Sequence, residues 1–147
     1  MINMLVNVYS KSNKLPAYET AGAAGMDVRS IESVTLRPGE VYPVSTGLYV
    51  EIPQGYEIQV RPRSGLSLKT PLRVSNAPGT IDADYRGEIK VLMWNTGDQE
   101  VRILEGDRIA QLVLCEVPRI VWLQHSTLEA LQPTERGEGG FGSTGSK

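Results

Sequence analysis

The sequence predicts an all-β fold, an antiparallel sandwich, jelly roll or barrel. Short runs alternate apolar and polar residues with period two, and Gly/Pro turn signals separate them at short intervals. No stretch carries the sustained 3.6-residue periodicity of a long amphipathic helix. At 147 residues the chain is expected to form one domain large enough to bury a real core.

The elements follow in order. Ile2-Asn3-Met4-Leu5-Val6-Asn7-Val8 reads as a first strand, and Tyr56-Glu57-Ile58-Gln59-Val60-Arg61 alternates as a half-buried strand should. Glu100-Val101-Arg102-Ile103 reads similarly. Ile89-Lys90-Val91-Leu92-Met93-Trp94 and Leu112-Val113-Leu114 are more continuously apolar and predict deeper strands. Turns are expected at Pro38-Gly39, Pro53-Gln54-Gly55, Pro78-Gly79, Thr96-Gly97-Asp98 and Glu105-Gly106-Asp107. Ser64 to Lys69 has room for one helical turn before Pro71. Ser126-Thr127-Leu128-Glu129 fits a capping box, with Pro133 close behind it. From about Pro133 the core pattern stops, so 1–132 reads as a folded body and 133–147 as a Gly-rich, flexible arm.

Composition excludes several classes. A formal charge of −2 argues against a nucleic-acid or membrane-surface binder. No apolar run approaches the ~20 residues of a membrane span. The N-terminus lacks a signal-peptide pattern, so a soluble, cytoplasmic chain is expected. Cys115 is the only cysteine and reads as a buried structural thiol. His125 is the only histidine, and it precedes the arm, which removes Ser-His-Asp, Cys-His and His-zinc chemistry.

Pro78-Gly79-Thr80-Ile81-Asp82-Ala83-Asp84-Tyr85-Arg86-Gly87-Glu88 is the densest chemistry in the chain. A turn is followed by two acids spaced by two, which would share a face on an extended strand. Arg61-Pro62-Arg63-Ser64-Gly65-Leu66 places two arginines ahead of a helical turn with free N–H groups, an anion-binding arrangement. In the arm, Arg136, the glycines, Ser143 and Thr144 offer a cation, convergent N–H groups and hydroxyls to an anion. Phe141, the only phenylalanine, has no core to join there and suits base stacking. Gly137, Gly139 and Gly142 satisfy G-x-G-x-x-G. A dinucleotide fold would need a helix after Gly142, and with only five residues following, none is expected. A hard Mg²⁺ held by substrate phosphates, water and one or two carboxylates fits, with Asp27 a candidate. Together these features fit hydrolysis of a nucleoside polyphosphate by an activated water.

The chain resembles the trimeric dUTP pyrophosphatases (dUTPases). The resemblance rests on five motifs in order: Ala21-Gly22-Ala23-Ala24-Gly25-Met26-Asp27-Val28, Pro62-Arg63-Ser64-Gly65-Leu66, Gly79-Thr80-Ile81-Asp82-Ala83-Asp84-Tyr85-Arg86-Gly87, Gly106-Asp107-Arg108-Ile109-Ala110-Gln111-Leu112, and Arg136-Gly137-Glu138-Gly139-Gly140-Phe141-Gly142-Ser143-Thr144-Gly145. It implies a β jelly roll (β-clip barrel) forming a homotrimer, with active sites at subunit interfaces, each closed by a neighbour's arm. It implies Mg²⁺-dependent cleavage of dUTP to dUMP and pyrophosphate, which keeps uracil out of DNA and supplies dUMP for dTMP synthesis. By that resemblance Asp82 is the general base and Tyr85 packs against the deoxyribose. Asn76, Gly79, Thr80, Ile81 and the returning strand near Lys90 form a hairpin that reads uracil. Arg63, Ser64, Gly65 and Gln111 hold phosphates, and Asp27 orients water around the metal. Arg136, Phe141, Gly142, Ser143 and Thr144 seal the site. Ser67 and Lys90 depart from residues common at those positions. A dCTP deaminase-type enzyme and a non-enzymatic regulatory module on the same fold are the alternatives.

Overall fold

A computed structural model describes residues 2–147. Ten strands and one short helix form the body: β1 Asn7–Ser10, β2 Met26–Arg29, β3 Val34–Leu36, β4 Val41–Glu51, β5 Tyr56–Arg61, α1 Ser64–Lys69, β6 Leu72–Val74, β7 Gly79–Ile81, β8 Ile89–Asn95, β9 Val101–Ile103 and β10 Arg108–Glu116. They build two four-stranded antiparallel sheets, ordered β1-β4-β8-β6 and β2-β10-β5-β7, with β3 and β9 paired separately. The fold is all-β, of jelly-roll type.

Period-two alternation is what packs these sheets. Along β8, Ile89, Val91, Met93 and Asn95 point inward while Lys90 and Trp94 point out. Val44, Ile89, Val91 and Met93 are fully buried, and Val28, Ile58, Val60, Ile109, Ala110 and Leu112 come from the facing sheet. Each large apolar side chain removed from water contributes roughly 1.5–3 kcal/mol. The side-chain amide of Asn95, fully buried, is satisfied on both sides. Its Nδ2 donates to Leu36 O at 3.1 Å and Gln99 O at 2.8 Å, and its Oδ1 accepts from Gly97 N–H at 3.0 Å. This stitches the expected Thr96-Gly97-Asp98 turn to β3.

Several expectations are corrected. The N-terminal strand covers Asn7–Ser10 rather than beginning at Ile2, and Ile2 and Leu5 stand exposed. Pro78-Gly79 is not the centre of a turn: Gly79 opens β7, and the bend lies ahead of it, with Ala77 N–H donating to Val74 O. The capping box does not form, since Thr127 caps the 3-10 turn Leu128–Ala130 without a side-chain hydrogen bond. Cys115 is half-buried on β10, with Arg61 Nη2 3.6 Å from its sulfur. The helical turn at Ser64–Lys69 forms as expected. No helix among the described residues is long and apolar enough to cross a membrane.

Candidate active site

β7 pairs with β5 on one side, through Val60↔Gly79, Gln59↔Thr80 and Ile58↔Ile81, and among the described residues has no strand on the other. Its outer edge therefore presents main-chain groups without ladder partners. Gly79 is buried, and a Cβ there would lie 3.2 Å from Val60 Cβ and 3.3 Å from Asn76 Nδ2. Glycine thus lets the Asn76 amide fold over the strand's start. Thr80 is exposed, but Ile81 faces the core at 9 % exposure, leaving only its main chain for a ligand.

Asp82 follows at the end of β7, exposed, and Tyr85 N–H donates to its carbonyl at 3.1 Å. Asp82 and Asp84 thus sit on a turn rather than an extended strand, so the same-face spacing expected from sequence does not apply. Tyr85 closes the loop: its hydroxyl donates to Glu88 O at 2.8 Å and its ring lies on Gly87. A Cβ at Gly87 would come within 2.5 Å of Tyr85 Cζ, so only glycine admits this ring position.

The returning strand β8 does not pair with β7. It runs beside β6, and Ser75 N–H donates to Leu92 O at 2.8 Å. The expected hairpin is therefore split between the two sheets. Lys90 stands opposite Ser45 in the β4-β8 pair, on the sheet that does not contain β7. Its charge helps to hold the Glu32 carboxyl below the ordinary glutamate value, behind the larger influence of the Tyr42 hydroxyl and that of Ser45, with burial pulling the other way.

A second group gathers where β5 ends. Arg63 Nε donates to Asp27 Oδ1 at 3.0 Å, and Arg108 Nη1 lies 3.5 Å from Asp27 Oδ2. Arg108 Nη2 also reaches Glu19 at 3.7 Å. The β10–β2 register shifts between Arg108 and Ala110, a bulge of the kind that re-aims side chains. Gln111 donates to Pro62 O at 2.9 Å and pairs in register with both Asp27 and Arg61. Gly25 gives Gln111 its space, since a Cβ there would meet Gln111 Oε1 at 2.5 Å. Ser64 and Gly65 are exposed at the start of α1, whose first turn has no side-chain cap.

These groups open into different concavities. Ser64 and Gln111 share one of about 620 Å³ with Ala77 and Pro78. Arg63 and Arg108 line another of about 530 Å³. Asp82 lines a third, of about 820 Å³, with Tyr56, Glu57, Arg86 and Arg119. A strand rises ~3.3 Å per residue, so β7 sets Asp82 roughly 13 Å from Pro78.

A family model described as dUTPase matches residues 11–145. The chain belongs to the dUTPase family. A deoxyuridine 5'-triphosphate nucleotidohydrolase of Desulfotalea psychrophila is 59% identical over 133 residues, 89% of this chain and 87% of that one. One of Zymomonas mobilis is 55% identical over 130 residues, 88% and 87% of the two chains. Among solved structures, the Staphylococcus bacteriophage 80alpha dUTPase with dUPNHPP superposes with TM-score 0.86 at 31% identity, covering 97% of this chain and 99% of that one.

In this dUTPase chain the arm makes no hydrogen bond to the body among the described residues. Arg136 Nε donates to Gly139 O at 2.7 Å, and Gly137, Ser143 and Gly145 N–H groups close local turns. Phe141 is fully exposed with φ +50, and Gly142 (φ +82), Ser143 and Thr144 are exposed beside it. Residues 118–132, counted with the body in sequence, are all exposed as well, including Ile120, Val121, Trp122 and Leu123. Sequence reasoning assigned no role to Arg108, Glu88 or Lys11. Their partners lie 81, 41 and 77 positions away (108 − 27, 88 − 47 and 88 − 11), so no local spacing could have flagged them.

Proposed function

We propose that the chain hydrolyses dUTP to dUMP and pyrophosphate, with a water attacking the α-phosphorus and Asp82 taking its proton. The observation that carries this reading is the turn after β7: an exposed carboxylate at the end of an unpaired strand edge, with a tyrosine folded beside it. The open edge of β7 suits recognition of the uracil edge by main chain, and Asn76 over Gly79 adds an amide. Cytosine presents the wrong donors and acceptors there, and hydrogen-bonding sites reject such mismatches by about 10⁴–10⁵-fold. Thymine's methyl would overpack the backbone, at roughly 1–3 kcal/mol.

Arg63, Ser64, Gly65 and Gln111 suit the phosphates. Arg63 is held by Asp27 in the free chain, so a triphosphate that draws Arg63 away leaves the Asp27 carboxylate able to accept hydrogen bonds from water. Asp27 alone fits a Mg²⁺ carried mainly by phosphate oxygens and water. Among the described residues no group of three or more His, Cys, Asp or Glu assembles into a metal cage. When bound, the cation supplies neutralising charge to the triphosphate. Breakage of the bond from the α-phosphorus to the bridging oxygen releases pyrophosphate, whose charge Arg63 offsets.

The site works between copies in a homotrimer. Asp82 and the Ser64–Gln111 group face separate concavities, and the exposed run from Ile120 to Leu123 provides apolar surface for a neighbour. The body is the jelly roll, and residues 133–147 form the arm that seals a neighbour's site through Arg136, Phe141, Gly142, Ser143 and Thr144. The role expected for Lys90 narrows to the backbone at the start of β8. Pyrophosphate release from dUTP, dCTP, dTTP and UTP measured side by side tests the whole reading: dUTP should be turned over far faster than the other three. Equal turnover of dCTP, or none of dUTP, would overturn it.

A further inference from the structure

We propose that Glu88 is a positioning residue for sugar selection, holding Tyr85 through its own main-chain carbonyl; the proposal rests on Tyr85 being the residue that packs against the deoxyribose. Glu88 joins an exposed loop to a buried strand. Behind it, Ile89 is fully buried in β8, and ahead of it lie the exposed residues Asp82, Asp84, Tyr85 and Arg86. Its carbonyl accepts the Tyr85 hydroxyl at 2.8 Å, so the place of that ring follows the place of the Glu88 peptide.

The Glu88 side chain fixes that peptide to two other elements. Its carboxylate is only 10% exposed, with Oε2 accepting Gly47 N–H at 3.0 Å and Oε1 lying 3.6 Å from Lys11 Nζ. Gly47 sits at the irregularity where β4 slips its register against β8 between Ser45 and Leu48, with φ +71. A bulge releases a peptide from the ladder, and here the freed N–H is the one Glu88 takes. Lys11 N–H donates to Gly47 O at 2.9 Å, so the Gly47 residue is gripped through both of its main-chain groups. Lys11 Nζ also lies 5.6 Å from the centroid of the Tyr49 ring. The result is a brace running from Lys11 and Gly47 through the Glu88 carboxylate to its carbonyl and then to the Tyr85 hydroxyl. A ring held this firmly can refuse a 2′-hydroxyl. A ring free to swing away would admit it.

The experiment reads the UTP/dUTP ratio of kcat/KM, which a general loss of stability does not move. Glu88→Asp shortens the reach by one methylene and should raise the ratio roughly 3- to 10-fold, the range one hydrogen bond commands. Glu88→Gln keeps an acceptor for Gly47 N–H and should stay within about two-fold of wild type. Lys11→Met, at a half-exposed site, should raise the ratio by about two-fold, less than Glu88→Asp because the Gly47 bond remains. In a Tyr85→Phe background Glu88→Asp should add nothing, since the hydroxyl it acts through is gone. Tyr85→Ala is the control. If it raises the ratio while Glu88→Asp and Lys11→Met leave it unchanged, the brace is refuted and Tyr85 keeps its role. If Tyr85→Ala leaves the ratio unchanged, the sugar-packing role falls and the brace with it. An effect of Glu88→Asp that persists without the Tyr85 hydroxyl also overturns the proposal.

Discussion

A carboxylate that takes a proton from water must itself be reachable by water, and Asp82 is exposed at the head of its turn, fixed by the hydrogen bond from Tyr85 N–H to its carbonyl. Asp82→Asn keeps the shape and that main-chain bond but cannot accept the proton. Turnover of dUTP should drop by about 10²–10⁴-fold, while affinity for a non-hydrolysable dUTP analogue, measured by calorimetry, stays within a few-fold. A variant that keeps more than about a tenth of wild-type turnover would remove Asp82 from that role. At this scale the sequence is informative when the chemistry resides in the residue type. Asp82 and Arg63 are singled out by what they carry, and the family motifs add Tyr85 and Gln111. It is silent on Arg108, which reaches Asp27 through a bulge in β10, and on Glu88, whose partners are a freed N–H on β4 and a lysine beyond β1. Those roles are set by register, and register is not written in any local pattern.

Alternation identifies strands well and their neighbours poorly. The Tyr56–Arg61 strand and the Ser64–Lys69 helical turn begin and end where the sequence places them, because apolar spacing and flanking prolines are local signals. The split of β7 and β8 between two sheets is a long-range outcome. β7 finds β5 and β8 finds β4, and the intervening loop spans the gap between them. The Ile2–Val8 run alternates well, but only from Asn7 does it have β4 to pair with. A second long-range tie is testable by pH. Tyr42, on β4, donates to Glu32 Oε1 at 2.6 Å and Ser45 N–H donates to Oε2 at 3.0 Å, clamping the start of β4 to the segment before β3. The Tyr42 hydroxyl is the main reason that the Glu32 carboxyl titrates below its ordinary value. A carboxyl lowered by folding contributes stability above its unfolded pKa and loses it as pH falls through the folded one. Glu32→Gln should therefore lower the melting temperature at neutral pH, and the gap to wild type should narrow progressively as pH falls below the ordinary glutamate value of about 4.3. A gap that stays constant across that range would mean the charge on Glu32 contributes nothing.

Across the whole molecule, the sandwich and residues 133–147 share no hydrogen bond among the described residues. The apolar core is supplied by the strands from β2 to β10, whereas the arm's hydrogen bonds among the described residues all close turns within itself. This separation is legible in composition, since a segment with five glycines among nine residues from Gly137 to Gly145 cannot fund a core of its own. What composition could not give is the exposed apolar stretch before it, where Ile120 to Leu123 look like core residues and find no core in a single copy. Truncation before Arg136 should accordingly leave the melting temperature and the oligomeric state unchanged, as read by thermal unfolding and light scattering. Activity should nevertheless collapse, because the cut removes a phosphate-matched cation, two hydroxyls, the convergent glycine N–H groups and the only phenylalanine together. Phe141→Ala should be milder, costing roughly 1–3 kcal/mol of base stacking, or about 5- to 150-fold in kcat/KM. Phe141→Trp should retain closure. Its fluorescence should change on adding a non-hydrolysable dUTP analogue, with the native Trp94 and Trp122 subtracted through the unmodified protein. The free arm should be cut readily by protease and protected by bound nucleotide. A truncated protein that turns over dUTP at the full rate would reduce the arm to a linker. A truncated protein that also loses its fold would show that the arm packs against the body after all.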